Sequence, residues 1–138
     1  MSHVFSSKQI SYAAASVMVA AAVKQANSAG IAAVITVIDK QGSVKAMANM
    51  DGALHLAIAA SKAKAYTALM GLGSGDLAAV MKGQLDELNS LTSFDNIVAL
   101  AGGFPIFIDN ELVGAIGVGG GSKEQDVLCA QTALDVLV

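Results

Sequence analysis

The stretch from Ala101 to Gly121, AGGFPIFIDNELVGAIGVGGG, constrains this chain more than any other, because it holds seven of the 14 glycines and the only proline. Asp109-Asn110 separates two apolar runs. Asn tolerates the left-handed conformation that a two-residue reversal needs, so the stretch predicts an antiparallel hairpin. Pro105 cannot donate to a strand ladder and belongs at an edge or a bulge. The hairpin ends in Gly119, Gly120 and Gly121, where no side chain keeps backbone or ligand away, and Ser122 is positioned to cap a helix. Such a corner either holds an anion on helix amides or turns the chain.

The rest of the chain reads as alternating helices and hairpins. Ser6 and Gln9 have capping-box spacing and Gly30 suits a left-handed terminus, which predicts a helix over Ser7–Ala29. Its middle is apolar on every side, as in a helix that is central or covered by a neighbouring subunit. Ile31–Asp39 is a β-branched run without alternation, expected for a strand buried on both faces. Asp39-Lys40-Gln41-Gly42 reverses it into a second strand, Ser43–Met50, with Lys45 and Asn49 on one face. Leu54–Leu69 predicts the second helix, and Leu77, Met81, Leu85 and Leu88 a third. Asn89–Asn96 is expected as a loop, Ile97–Leu100 as a short strand, and Ser122–Leu137 as a closing helix with Val127, Ala130, Leu134 and Val138 on one side. Two-residue turns cannot join parallel strands, so an antiparallel sheet covered by helices is expected: one α+β domain over residues 1–138, ordered α-ββ-αα-βββ-α.

Composition narrows the function classes. With 54% hydrophobic and 14% charged residues, the chain carries more apolar surface than one copy readily hides, which points to a homo-oligomer. A net charge of -3 without a Lys/Arg cluster argues against nucleic acid. Tyr12–Val23 is too short to span a bilayer, which takes about 20 residues. Lys8 before that run and Ala26–Ala29 after it imitate a signal peptide, but the run is largely alanine and capped like a helix. The lone Cys129 allows no intrachain disulfide and suits the cytoplasm.

Candidate chemistry is sparse. Gly117-Val118-Gly119-Gly120-Gly121-Ser122 lacks the third glycine of a dinucleotide fingerprint and follows a hairpin rather than the first strand of a βαβ unit, so no nicotinamide is expected. Two histidines and one cysteine match no structural zinc spacing. Asp51 and His55 either share the first turn of the second helix and hold a metal or ligand, or Asp51 merely caps that helix and His55 is a surface or half-buried residue. Lys62 and Lys64 point about 200° apart, so at most one faces a pocket; Lys64 is then an anion partner or nucleophile, or a lysine that is solvated or paired with a carboxylate. Cys129 is expected as an inert buried thiol, and Met18, Met47, Met50, Met70 and Met81 as core fillers.

Three blocks extend this reading: Val37-Ile38-Asp39 with Gly42, Met50-Asp51-Gly52-Ala53, and Lys64-Ala65-Tyr66-Thr67-Ala68. Together with Gly102-Gly103-Phe104-Pro105-Ile106 and Gly114-Ala115-Ile116-Gly117-Val118-Gly119-Gly120, they resemble the GlcG/HbpS-like family, which includes the C-terminal domain of PduO-type corrinoid adenosyltransferases. The resemblance runs from the first helix to the last. It implies a profilin-like sandwich with about five antiparallel strands, homo-oligomers, and an uncleaved first helix. Asn49 stands where the family has Arg, and Gly119 where Ser is common. Gly71–Gly75 lacks the family's proline-threonine step.

The resemblance further implies a small-molecule binding module for a tetrapyrrole, heme or a corrinoid, in small diol, glycerol or hydroxy-acid metabolism. The implied site comprises Asp51, Gly52, His55, Lys64, Thr67, Gly119, Gly120 and Gly121, with His55 as the candidate ligand for heme iron. Two alternatives stay open: an enzyme of the same metabolism using Lys64 or Asp51 as base, and a ligand-free oligomeric scaffold.

Overall fold

A computed structural model describes residues 2–137. Val138, expected on one side of the last helix with Val127, Ala130 and Leu134, lies outside them. The elements are α1 (Tyr12–Ala29), β1 (Val34–Asp39), β2 (Val44–Asn49), α2 (Leu56–Ala68), a 3-10 turn (Ser74–Asp76), α3 (Leu77–Val80), α4 (Leu85–Leu91), β3 (Gly103–Ile108), β4 (Glu111–Gly119) and α5 (Lys123–Asp135). The strands form one antiparallel sheet in the order β2-β1-β4-β3. The α+β class and the antiparallel sandwich are as expected.

Side chains alternate across β1. Ile35 and Val37 join Met18, Ala22, Ile116, Val118 and Cys129 in the core beneath α1 and α5. Ile38 faces the other way, toward Ala65 and Ala68 of α2, and the Thr36 hydroxyl shares a 2.8 Å hydrogen bond with that of Ser61. β1 is therefore buried on both sides, which is why its sequence is a β-branched run. Asp109 (φ 50°) and Asn110 (φ 65°) make the left-handed reversal between β3 and β4. Pro105 lies on the edge strand β3, beside a register shift at Ile106/Phe107.

Several expectations are corrected. α1 begins at Tyr12, not Ser7, and Ser11 rather than Ser6 caps it by accepting from the Ala14 N–H at 3.1 Å. The preceding segment is drawn into tertiary bonds: Ile10 N–H donates to Val113 O, and the Gln9 side chain accepts from Lys40 N–H at 2.7 Å. The sheet has four strands rather than about five. Residues 97–100 form no strand because side chains meet their backbone: Val98 N–H donates to the Thr67 hydroxyl, and the Ser74 hydroxyl donates to Leu100 O. The third helix is broken by Gly83 (φ 83°) into α3 and α4, and α4 runs to Leu91, inside the expected loop. Of the five methionines expected as core fillers, Met18 is fully buried, whereas Met47 and Met70 are exposed.

Candidate functional site

The seat of α2 on the sheet positions Lys64 and Thr67 and brings Gly119 against the helix. Gly117 of β4 faces the helix backbone so closely that a Cβ there would overlap the Ser61 carbonyl oxygen and come within 2.7 Å of Ala65 N. Ala57, Ser61, Ala65 and Ala68 keep the inner face of α2 small, and the helix rests directly on the strands. Gly119 continues this contact, its would-be Cβ lying 3.5 Å from Ala57.

Lys64 shares that inner face. The residue is 6% exposed; Nζ donates to Val118 O at 2.8 Å and to Asp126 Oδ2 of α5 at 3.1 Å. Asp126, 3% exposed as a residue, accepts from Gly121 N–H at 2.9 Å through Oδ1. This is the one ion pair among the described residues. The paired reading of Lys64 thus matches what is observed. Asp126, its partner, escaped sequence reasoning: a carboxylate in the first turn of a helix is ordinarily a solvated partner of the dipole, and only the fold buries this one.

The glycine corner is served by its own chain. Ser122 accepts from Gln125 N–H and Gln125 Oε1 accepts from Ser122 N–H, a complete capping box. Gly120 (φ 114°) makes the turn itself and passes so near Ala32 O that a Cβ would lie 2.8 Å away. Thr67 is fully buried: its one hydroxyl hydrogen is shared between Ala63 O and Asn96 O, and its oxygen accepts from Val98 N–H, pinning the 96–98 segment to α2.

Asp51 and His55 are not one helical turn. Asp51 and Gly52 (φ 80°) lie in an exposed reversal closed by Ala53 N–H to Met50 O, and α2 begins only at Leu56, with His55 at the cap position making no side-chain cap bond. Both the shared-turn expectation and the Asp51 cap are therefore corrected: the positive φ at Gly52 ends one turn before the helix starts. His55 is exposed beside Leu54, Leu56 and Ile58, which are 57%, 63% and 43% exposed. At about 100° per residue, the nine residues from His55 to Lys64 turn through about 180° net. The two side chains project from opposite sides of α2, so the implied ligand residues divide into separate places.

Two adjoining cavities open on the Lys64 side. One of about 350 Å³ is walled by Lys64, Leu100, Gly121, Lys123 and Asp126. The other, about 380 Å³, lies between Asp76, Phe104, Glu124 and Val127, and the two share Gly75, Ala101 and Lys123. A third hollow, by Ile10, Ala14 and Ile108, contains none of the candidate residues. Cys129 lies in the core; burial, and then the Asp126 carboxylate, push its thiol above its ordinary value of 9.0. Among the described residues no three His, Cys, Asp or Glu side chains converge as metal ligands, and no helix is long and apolar enough to cross a membrane.

The family profile described as haem degrading protein HbpS-like matches residues 10–135. The chain belongs to the HbpS-like family. A Citrobacter freundii relative, an uncharacterized 15.0 kDa protein in the dhaT-dhaS intergenic region, is 37% identical over 91% of this chain and 90% of its own. The corrinoid adenosyltransferase PduO of Salmonella typhimurium is 32% identical over 83% of this HbpS-like chain, which spans only 34% of that protein. Among solved structures, a PduOC:heme complex is 30% identical with a TM-score of 0.84, covering 92% of this chain and 94% of that one. A structure of HbpS superposes with a TM-score of 0.90 at 25% identity, over 99% and 95% of the two chains.

Proposed function

We propose that this chain is a cytoplasmic heme-binding module, with a corrinoid as the second tetrapyrrole it admits, acting as an accessory protein in small diol, glycerol or hydroxy-acid metabolism. The observation that carries this reading is its likeness, at 30% identity over 92% of its length, to a domain solved as a heme complex. The Citrobacter freundii relative from the dhaT-dhaS region supports the metabolic setting.

The residues fit heme best at the start of α2. His55 offers an exposed imidazole nitrogen, the only one in the chain outside the N-terminal segment, and Leu54, Leu56 and Ile58 offer apolar surface for a macrocycle. Lys62, also exposed, lies within about 20° of His55 around the helix and suits a propionate. Bound heme would supply an iron centre; His55 would hold it and Lys62 would orient its edge. One exposed helix face covers only one side of a macrocycle, which favours a homo-oligomer whose second copy covers the other. The Lys64 cavities, at about 350 and 380 Å³, are lined by no histidine, cysteine, methionine or tyrosine, the side chains that hold heme iron.

An enzyme using Lys64 or Asp51 as base has less support, because two acceptors already hold the Lys64 ammonium and Asp51 lies on an open turn. Heme titration of the purified chain tests the binding reading: a saturable Soret band at micromolar heme is expected, and its absence would leave the ligand-free scaffold.

A further inference from the structure

We propose that the segment before α1 is a pairing arm for a second copy of this chain. The arms of two copies would run antiparallel about a twofold axis at Ser7, and Val4 and Phe5 of each would cover the apolar cavity beside Ile10 of the other. Ile10 belongs to the core beneath α1 and α5, on the other side of the sheet from α2, so this contact stands apart from the heme reading.

The arm is most apolar where nothing covers it. Val4 and Phe5 are 80% and 86% exposed, more than any other large hydrophobic residue among those described. No main-chain N–H or carbonyl of residues 5–9 has a partner among the described residues, and the segment forms no helix or strand of its own. Such a backbone is a template for another strand. Its root, by contrast, is fixed. Ile10 is buried with its N–H on Val113 O, and Gln9 Oε1 accepts from Lys40 N–H.

A cavity of about 380 Å³ opens at that root, between Ile10, Ala14, Ile108, Val113 and Leu137. Gln9 also lines it, whereas Val4 and Phe5 of the same copy do not. A twofold axis at Ser7 sets Val4 of the second copy opposite Ile10 and Phe5 of the second copy opposite Gln9, so both apolar side chains arrive at the cavity wall. Because the Ile10 N–H points back to Val113, Ile10 takes a position in this ribbon that exchanges no bonds with the residue opposite. Opposed side chains come closest at such positions, with Cα atoms about 4.5 Å apart. Phe5 with Gln9, and Ser7 with its own copy, then exchange the main-chain bonds.

Charge favours the same occupant. Residues 2–11 carry His3 and Lys8 and no acidic residue, whereas the turn beside the cavity carries Asp109 and Glu111. Neither carboxylate is in an ion pair among the described residues. The reciprocal contact is isologous, with each arm meeting the other's acidic turn, and no like charges stand directly opposite in the ribbon.

A single cysteine tests the axis. In Ser7→Cys the two thiols would sit at a Cα separation of about 5.5 Å, within disulfide reach, and buried Cys129 does not compete. In a glutathione redox buffer at micromolar protein, Ser7→Cys should form a disulfide-linked dimer at least about tenfold faster than Ser28→Cys, a control at an exposed position late in α1. Sedimentation of the full chain supplies the second readout. Val4→Ser with Phe5→Ser, both at exposed positions, should weaken self-association at least about tenfold, and Asp109→Asn, which keeps the left-handed turn, about twofold. Cross-linking of Ser7→Cys no faster than that of Ser28→Cys, self-association indifferent to Val4→Ser with Phe5→Ser, or a native chain that sediments as a monomer at about 100 μM would each overturn the proposal. Neither readout involves heme, so its failure would leave the heme reading untouched.

Discussion

His55 and Lys64 belong to the same helical segment and meet opposite conditions. His55 is exposed, caps nothing and is flanked by apolar side chains in solvent, whereas Lys64 is buried with a backbone carbonyl and a carboxylate around its ammonium. Small residues on the inner side of α2 produce the difference, since they let the helix lie on β4 and leave room only at its margin for one long side chain. The contrast shows that residues of one helical segment need not share a ligand. Substitutions on the inner face should therefore disturb folding, and those on the outer face should disturb only binding.

The largest effect is expected at Asp126. Asp126→Ala strands a buried ammonium and the Gly121 amide, and should cost about 3–5 kcal/mol in urea unfolding. Replacing both partners together, Lys64→Met with Asp126→Leu, should recover most of that loss. A cost below about 1 kcal/mol for Asp126→Ala, the range of a solvated surface pair, would erase the contrast. Next comes Thr67→Val, which leaves Asn96 O and Val98 N–H without their side-chain partner and should cost about 1–3 kcal/mol. Hydrogen exchange at Val98 should quicken in the same variant.

A smaller, pH-dependent effect is expected at Cys129. Its thiol ionises at higher pH in the folded chain than in the unfolded one, so above about pH 9 the unfolded state binds fewer protons. Stability should be undiminished below that pH and decline as the pH rises beyond it. Cys129→Ala should flatten the decline, and an unchanged slope would assign it to other groups. The smallest change in stability is expected for His55→Ala, within about 0.5 kcal/mol, because the side chain is exposed and makes no cap bond.

Local chemistry made much of the fold legible in the sequence. The β-branched run of β1, the Asp109-Asn110 reversal, the edge placement of Pro105 and the Ser122 cap each follow from the conformational limits of those residues. What was not legible depended on long-range partners. Ser6 and Gln9 had the spacing of a cap, but Val113 and Lys40 bind the backbone and side chain there and delay the helix to Tyr12. Ile97–Leu100 looks like a strand until Thr67 and Ser74 occupy its backbone. At the site, pairing with a carboxylate was readable as one of several options for Lys64, but Asp126 was not. The division of the family residues between two sides of α2 required the exact start of that helix.

A heme titration followed by the Soret band, run side by side on the native chain, His55→Ala and Lys123→Ala, tests the two-sided reading of α2 most directly. Loss or a marked shift of the band in His55→Ala, with the native band kept in Lys123→Ala, is the expected result. A band unchanged in His55→Ala and lost in Lys123→Ala would contradict it, moving the heme to the Lys64 side of the helix.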